Sequence, residues 1–87
     1  MSADAVLDRV LGIVASVAGP ERTPETAGPD TPLGDDGYWL DSVDVLEVIL
    51  ACEQEFGAVF ATDGALTPET VATPRRLADL IRSKTGA

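Results

Sequence analysis

The sequence predicts an all-α fold: a small four-helix bundle of three longer helices and one short helix, with a long loop between the first and second helices. Three observations lead to this prediction. Three segments carry apolar residues at spacings of three and four, the pattern of helices that pack on one side. Capping residues, proline and glycine mark the ends of these segments. A chain of 87 residues has room for one domain, which we expect to span residues 1–87.

The first helix is predicted from Ala3 to Ala18, with Ser2 or Asp4 as its N-terminal cap. A Gly-Pro pair at positions 19 and 20 ends it. Its apolar stripe, which we expect to face the core, comprises Val6, Leu7, Val10, Leu11, Val14 and Val17.

A loop follows over residues 20–40, where proline and glycine recur too often for a long helix or a paired strand. A loop of about twenty residues is unusual in a compact domain unless it packs back by its own side chains. We expect Leu33, Tyr38, Trp39 and Leu40 to anchor it in the core. The acids of residues 30–41 lack the spacing of a calcium loop, so no metal site is expected.

The second helix is predicted from Ser42 to Phe56. Asp41 fits the cap position, Asp44 completes a shortened capping box, and Gly57 ends the helix. One face of this helix holds Leu46, Ile49, Leu50, Glu53 and Phe56, and all of these except Glu53 are expected to pack inward.

The C-terminal third is predicted to hold a connection and two helices. Val59 or Phe60 is expected to dip into the core. A Thr-Pro-Glu sequence at residues 67–69 predicts a helix of about one turn. A second Thr-Pro pair then starts the final helix, predicted from Pro74 to Ser83, with Leu77, Leu80 and Ile81 buried.

Composition excludes several classes of function. Six basic against fifteen acidic residues give a net charge of -9, which disfavours nucleic-acid and anionic-membrane binding and favours a basic protein partner. Histidine is absent, so the usual Ser-His and Cys-His arrangements cannot form and we do not expect an enzyme. Cys52, the single cysteine, is expected to pack in the core. The absence of a signal peptide and of a long apolar run predicts a cytoplasmic protein, which we expect to be a monomer.

Ser42, at the predicted start of the second helix, has two interpretations. A serine in this place is usually only a cap. However, unpaired N–H groups and the helix dipole also make a helix N-terminus a favourable place for a phosphate group. With Asp41 as the better cap, the hydroxyl of Ser42 is left free to be modified.

The residues around Ser42 resemble a known family. The stretch LDSVD at residues 40–44, followed by LEVI at 46–49 and EQEFG at 53–57, resembles the acyl carrier proteins. The resemblance implies that a phosphopantetheinyl transferase attaches 4′-phosphopantetheine from coenzyme A to Ser42, next to Asp41. Acyl intermediates would then ride as thioesters on this arm in polyketide or fatty-acid-like biosynthesis.

The same resemblance implies that the second helix docks acyl-loading and chain-modifying enzymes with basic surfaces, through Val43, Asp44, Glu47 and Glu53. Tyr38 and Trp39 depart from the family pattern and are candidates for shaping acyl or docking specificity. The candidate walls of a cleft for the acyl chain are Val10, Leu46, Ile49, Phe56, Leu77 and Ile81. Two alternatives remain open: a peptidyl or aminoacyl carrier protein, and an unmodified acidic helical interaction module.

Overall fold

The computed structural model describes residues 5–59, 64 and 66–86 and contains, within them, three helices and no strand. The helices are α1 (Ala5–Ala18), α2 (Ser42–Phe56) and α3 (Pro74–Thr85). The all-α class and the small helical bundle are confirmed. None of these helices is long and apolar enough to cross a membrane.

The predicted short fourth helix corresponds, in the described part of the chain, to a turn that is not a helix, so four helices are not shown. Residues 67–72 form a single turn, in which the Val71 N–H donates to the Thr67 carbonyl at 3.2 Å and the Ala72 N–H to the Glu69 carbonyl at 3.3 Å. The turn cannot grow because Thr73 precedes a proline and is held extended, with φ -142°. One turn alone does not offset the entropy of helix nucleation.

Helix α1 lies between the other two helices and packs against both. Half of the predicted apolar stripe is buried, namely Leu7, Val10 and Val14, and Ala18 is buried beside them. The rest of the stripe, Val6, Leu11 and Val17, is half-buried against the core. Gly19 ends the helix in a left-handed conformation, and its N–H donates to the Ala15 carbonyl at 2.8 Å. The predicted start at Ala3 and its cap lie outside the described residues.

Helix α3 begins where the sequence predicts and ends two residues later than predicted. The Thr73 hydroxyl accepts a hydrogen bond from the Arg76 N–H at 3.2 Å, and Pro74 occupies the first turn. Leu77 and Ile81 are buried as predicted, whereas Leu80 is half-buried.

Helix α2 has the predicted bounds, but the face that packs against the core is not the predicted one. Val48, Ile49 and Cys52 are buried, whereas Leu46 and Leu50 are each 49% exposed. The prediction that Leu46 and Leu50 pack inward is therefore wrong. Apolar residues occur on nearly every side of this helix, so their spacing alone does not select the face that α1 covers.

The long loop packs back as predicted, through three of its four anchors. Leu33, Tyr38 and Leu40 are buried. The Leu33 N–H donates to the Ala72 carbonyl at 3.0 Å, which ties the loop to the segment before α3. Trp39 is 60% exposed, so the prediction that it anchors the loop in the core is wrong.

The connection after α2 does not place its described apolar residue in the core. Gly57 closes the helix with φ 65°, and its N–H donates to the Glu53 carbonyl. Val59 is 71% exposed, so the prediction fails for this residue. Phe60, the alternative, lies outside the described residues.

Candidate functional site

A capping box holds the N-terminus of α2. The Asp41 carboxylate accepts a hydrogen bond from the Asp44 N–H at 2.8 Å, and the Asp44 carboxylate accepts one from the Asp41 N–H at 3.3 Å. The Asp41 carbonyl accepts the first helical hydrogen bond, from the Val45 N–H at 2.9 Å. Asp41 is therefore the cap, as predicted, and Ser42 is the first helical residue.

Ser42 is exposed at this helix start. Its hydroxyl forms no hydrogen bond with another residue in the described part of the chain. Since Asp41 already satisfies a first-turn donor, the hydroxyl has no capping role to give up. An incoming group can reach its oxygen from solvent without breaking a contact of the fold.

Arg22, a loop residue that the sequence analysis missed, links α1 to this helix start. Its guanidinium donates to the Asp44 carboxylate at 2.7 Å and to the carbonyls of Val17 and Ala18 at 3.2 and 3.0 Å. The side chain thus covers orphan carbonyls at the end of α1 while it holds the capping box of α2. Its position, directly after the predicted end of α1, was the signal available in the sequence.

The ion pair between Arg22 and Asp44 changes the titration of both groups. The hydrogen bond from Arg22, followed by the one from the Asp41 N–H, lowers the pKa of Asp44 below its ordinary range. The same pair raises the pKa of Arg22. Asp44 is half-buried, and its charge is offset within the fold by the ion pair with Arg22.

The four predicted docking residues differ in their exposure. Val43 and Glu47 are exposed one turn apart on α2. Glu53 is half-buried, and its carbonyl accepts hydrogen bonds from both residues that follow the helix. Asp44 is held by Arg22. The geometry therefore brings Val43 and Glu47 to solvent near Ser42 and leaves Asp44 and Glu53 less available.

An open depression of about 490 Å³ lies beside Ser42 on the surface of α2. Its walls are mostly apolar and are formed by Ser42, Val43, Val45, Leu46 and Ile49.

The predicted cleft is only partly correct. Leu46 and Ile49 line this depression. Val10, Leu77 and Ile81 are fully buried in the core, and half-buried Phe56 does not line the depression. The prediction is wrong for Val10, Leu77 and Ile81 because these side chains form the packed core between the helices.

Trp39, three residues before Ser42, has an unusual backbone conformation. Its φ is 57°, in the left-handed region that costs an L-residue about 1–2 kcal/mol. Two backbone hydrogen bonds fix the turn: the Trp39 N–H donates to the Gly34 carbonyl at 2.9 Å, and the Tyr38 N–H donates to the Pro32 carbonyl at 2.9 Å. The neighbouring Tyr38 is 1% exposed, and burial raises the pKa of its phenol. Only Trp39 of the pair can meet a partner.

Cys52 is fully buried, as predicted. Burial raises the pKa of its thiol to about 12, so the thiol stays protonated at neutral pH and is a poor nucleophile. Within the described residues, no group of three or more cysteine and acidic side chains could hold a metal ion.

The surface around Ser42 is negatively charged. None of the six basic residues lies between positions 23 and 74, a stretch that holds most of the acids. Arg22 and Arg75, which border this stretch, are paired with Asp44 and Asp30. No family model matches the chain.

Proposed function

We propose that this chain is an acyl carrier protein, with 4′-phosphopantetheine attached to Ser42, that serves polyketide or fatty-acid-like biosynthesis in the cytoplasm. It acts as a carrier and not as an enzyme. The observation that carries the proposal is the helix start itself. Ser42 is exposed at the first position of α2, and Asp41 has taken over the capping role.

The residues at this site suit a phosphate ester. The N–H groups of Ser42 and Val43 lie in the first turn, where the helix offers them no acceptor, and the helix dipole favours negative charge there. The Asp41 carboxylate opposes a second negative charge, whereas the charge of Asp44 is offset by Arg22. The exposed hydroxyl allows the phosphate to extend into solvent, away from Asp41.

The transfer itself requires little from this chain. The hydroxyl oxygen of Ser42 forms the new phosphodiester bond, the pyrophosphate bond of coenzyme A breaks, and adenosine 3′,5′-bisphosphate leaves. We assign the removal of the hydroxyl proton to the phosphopantetheinyl transferase, because this chain has no histidine, its only cysteine is buried and the Asp41 carboxylate caps the helix. When attached, the arm supplies a terminal thiol that holds acyl groups as thioesters.

Charge supports the choice of partners. A negatively charged helix next to the attachment point favours enzymes with basic docking surfaces, which include the transferase and the acyl-loading and chain-modifying enzymes. Glu47 and Val43 are the exposed docking candidates on α2. The apolar depression lined by Leu46 and Ile49 offers partial cover for a short acyl chain on the arm.

Intact mass tests the proposal. The purified chain is incubated with coenzyme A and a broad-specificity phosphopantetheinyl transferase, and Ser42→Ala is the control. We expect the wild-type chain to gain the mass of one phosphopantetheine and Ser42→Ala to gain none. If the folded wild-type chain gains no mass while a known carrier is modified in the same mixture, the chain is an unmodified acidic interaction module.

A peptidyl or aminoacyl carrier would share the attachment of 4′-phosphopantetheine to Ser42 and would differ in the group that it carries. The modified chain is therefore offered to acyl-activating and aminoacyl-activating enzymes in parallel. We expect loading by the acyl-activating enzymes, and loading by aminoacyl-activating enzymes alone would favour the alternative.

A further inference from the structure

Trp39 is held on the surface against the preferences of its backbone. Its φ of 57° is rare for a bulky residue, and 60% of the residue is exposed. The fold gains little burial from this side chain, unlike its neighbours Tyr38 and Leu40, which are buried. Strained residues of this kind are concentrated at sites that bind other molecules.

The position of Trp39 associates it with the modification site. Consecutive Cα atoms are 3.8 Å apart, so the Cα of Trp39 lies within about 11 Å of the Cα of Ser42. Any enzyme that transfers a group to the Ser42 hydroxyl must cover this end of α2. Tryptophan is among the side chains that most often dominate the binding energy of a protein interface.

The charges around Trp39 define the chemistry of the partner. Asp35, Asp36 and Asp41 are exposed on either side of it, and no basic residue occurs in this stretch of the chain. An apolar side chain among acids is complementary to an apolar recess with lysine and arginine at its rim. A second copy of this chain would bring like charges together and is disfavoured by the same argument.

We propose that Trp39 is the anchor by which the phosphopantetheinyl transferase binds this chain, its indole inserting into an apolar recess of the transferase's basic surface. The inference rests on the proposed function and adds a specificity-determining residue outside α2. The turn fixes the backbone of Trp39 before the encounter, which reduces the entropy lost on binding. Tyr38 has no part in the contact because it is buried.

Two substitutions separate recognition from folding. Trp39→Asn removes the indole and places a residue that tolerates the left-handed conformation, whereas Trp39→Phe keeps an aromatic ring. Val59→Asn is the matched control, because Val59 is also exposed but follows the opposite end of α2. We expect Trp39→Asn to raise the KM of the transferase by about tenfold or more with little change in kcat, the pattern of lost binding. Its Tm should be equal to or above that of the wild type, and the other two variants should behave as the wild type.

The outcomes distinguish this proposal from the proposed function. A wild-type chain that is not modified at all contradicts both. A wild-type chain that is modified, with Trp39→Asn modified at the same KM, contradicts only the role of Trp39. A higher KM together with a lower Tm would assign Trp39 to the fold and also overturn the proposal.

A direct readout is available because Trp39 is the only tryptophan. A chain labelled with 5-fluorotryptophan gives one ¹⁹F resonance, which we expect to shift or broaden when the transferase is added without coenzyme A. A resonance that instead depends on the concentration of the chain alone would identify a second copy as the occupant. A resonance that changes only after modification would identify the arm. Either result overturns the proposal.

Discussion

Replacement of Gly37 by alanine is expected to destabilise the loop that leads to the start of α2. Gly37 is buried and does not have a positive φ, so its backbone conformation is open to any residue. Glycine is needed at this position because the neighbouring backbone leaves no space for a side chain. A Cβ atom here would overlap the backbone carbonyl oxygen of Pro32 and lie 2.8 Å from its carbon and 3.0 Å from the Pro32 nitrogen.

The magnitude follows from the kind of atoms that Cβ meets. All three belong to the backbone and cannot rotate away as a flexible side chain would. Overpacking of this kind costs about 1–3 kcal/mol, and we expect the upper end because the hydrogen bond from the Tyr38 N–H to the Pro32 carbonyl, 2.9 Å long, would also be strained. For a domain of this size, about 3 kcal/mol lowers Tm by about 15 °C.

Thermal and urea unfolding followed by circular dichroism measure this effect. The matched control is Gly34→Ala, because Gly34 lies in the same loop, also lacks a positive φ and has open space where its Cβ would lie. The control should change the free energy of unfolding by less than about 1 kcal/mol, with a small gain from reduced entropy of the unfolded chain. Equal Tm values for the two variants would refute the reasoning from close approach.

Three further predictions concern the start of α2. Asp41→Ala removes the cap and should lower the free energy of unfolding by about 1 kcal/mol in urea unfolding; no change would contradict the capping role. Arg22→Ala and Asp44→Asn should each lower Tm, and the double variant should lower it by less than the sum of the two single effects; additive effects would show that the pair does not interact. The pKa of Asp44 is lower in the folded than in the unfolded chain, so its contribution is present above about pH 4 and is lost as pH falls through the lowered value. Asp44→Asn should therefore lose less stability than the wild type between about pH 5 and pH 2, and an identical loss would contradict the assignment.

The helix ends were predictable because their chemistry is local. Asp41, Gly57 and Thr73 each act within one turn of their own position, and the structure uses all three as the sequence predicts. The capping box settled the question of which residue caps α2. That local assignment also makes Ser42 the first residue of the helix and leaves its hydroxyl without a capping role.

Which residues of α2 are buried could not be predicted, because this depends on where α1 packs against the helix. Leu46 and Val48 are equally good core residues by sequence, and only the tertiary contact buries one and exposes the other. The short fourth helix was predicted from the start signal at residues 67–69. Thr73, which is extended because it precedes Pro74, follows that signal so closely that only a turn forms.

The contact of Arg22 with Asp44 and the conformation of Trp39 both depend on the path of the long loop. The contact from Arg22 to Asp44 joins residues 22 positions apart, and no periodic pattern encodes such a pair. The left-handed conformation of Trp39 runs against its own preference and is imposed by the turn around it. Sequence reasoning placed Ser42 at a helix start and named Trp39 as a candidate for specificity, but it missed Arg22 and the exposed, left-handed conformation of Trp39.

Peptide mapping of the modified chain tests the central claim most directly. Trypsin cleaves after Arg22 and Arg75 and releases residues 23–75, a peptide in which Ser42 is the only serine. After incubation with coenzyme A and the transferase, we predict that the whole mass gain lies in this peptide and that its fragment ions place it on Ser42. A gain on a threonine or on another peptide, or no gain in a folded chain, would contradict the assignment of Ser42 as the attachment site.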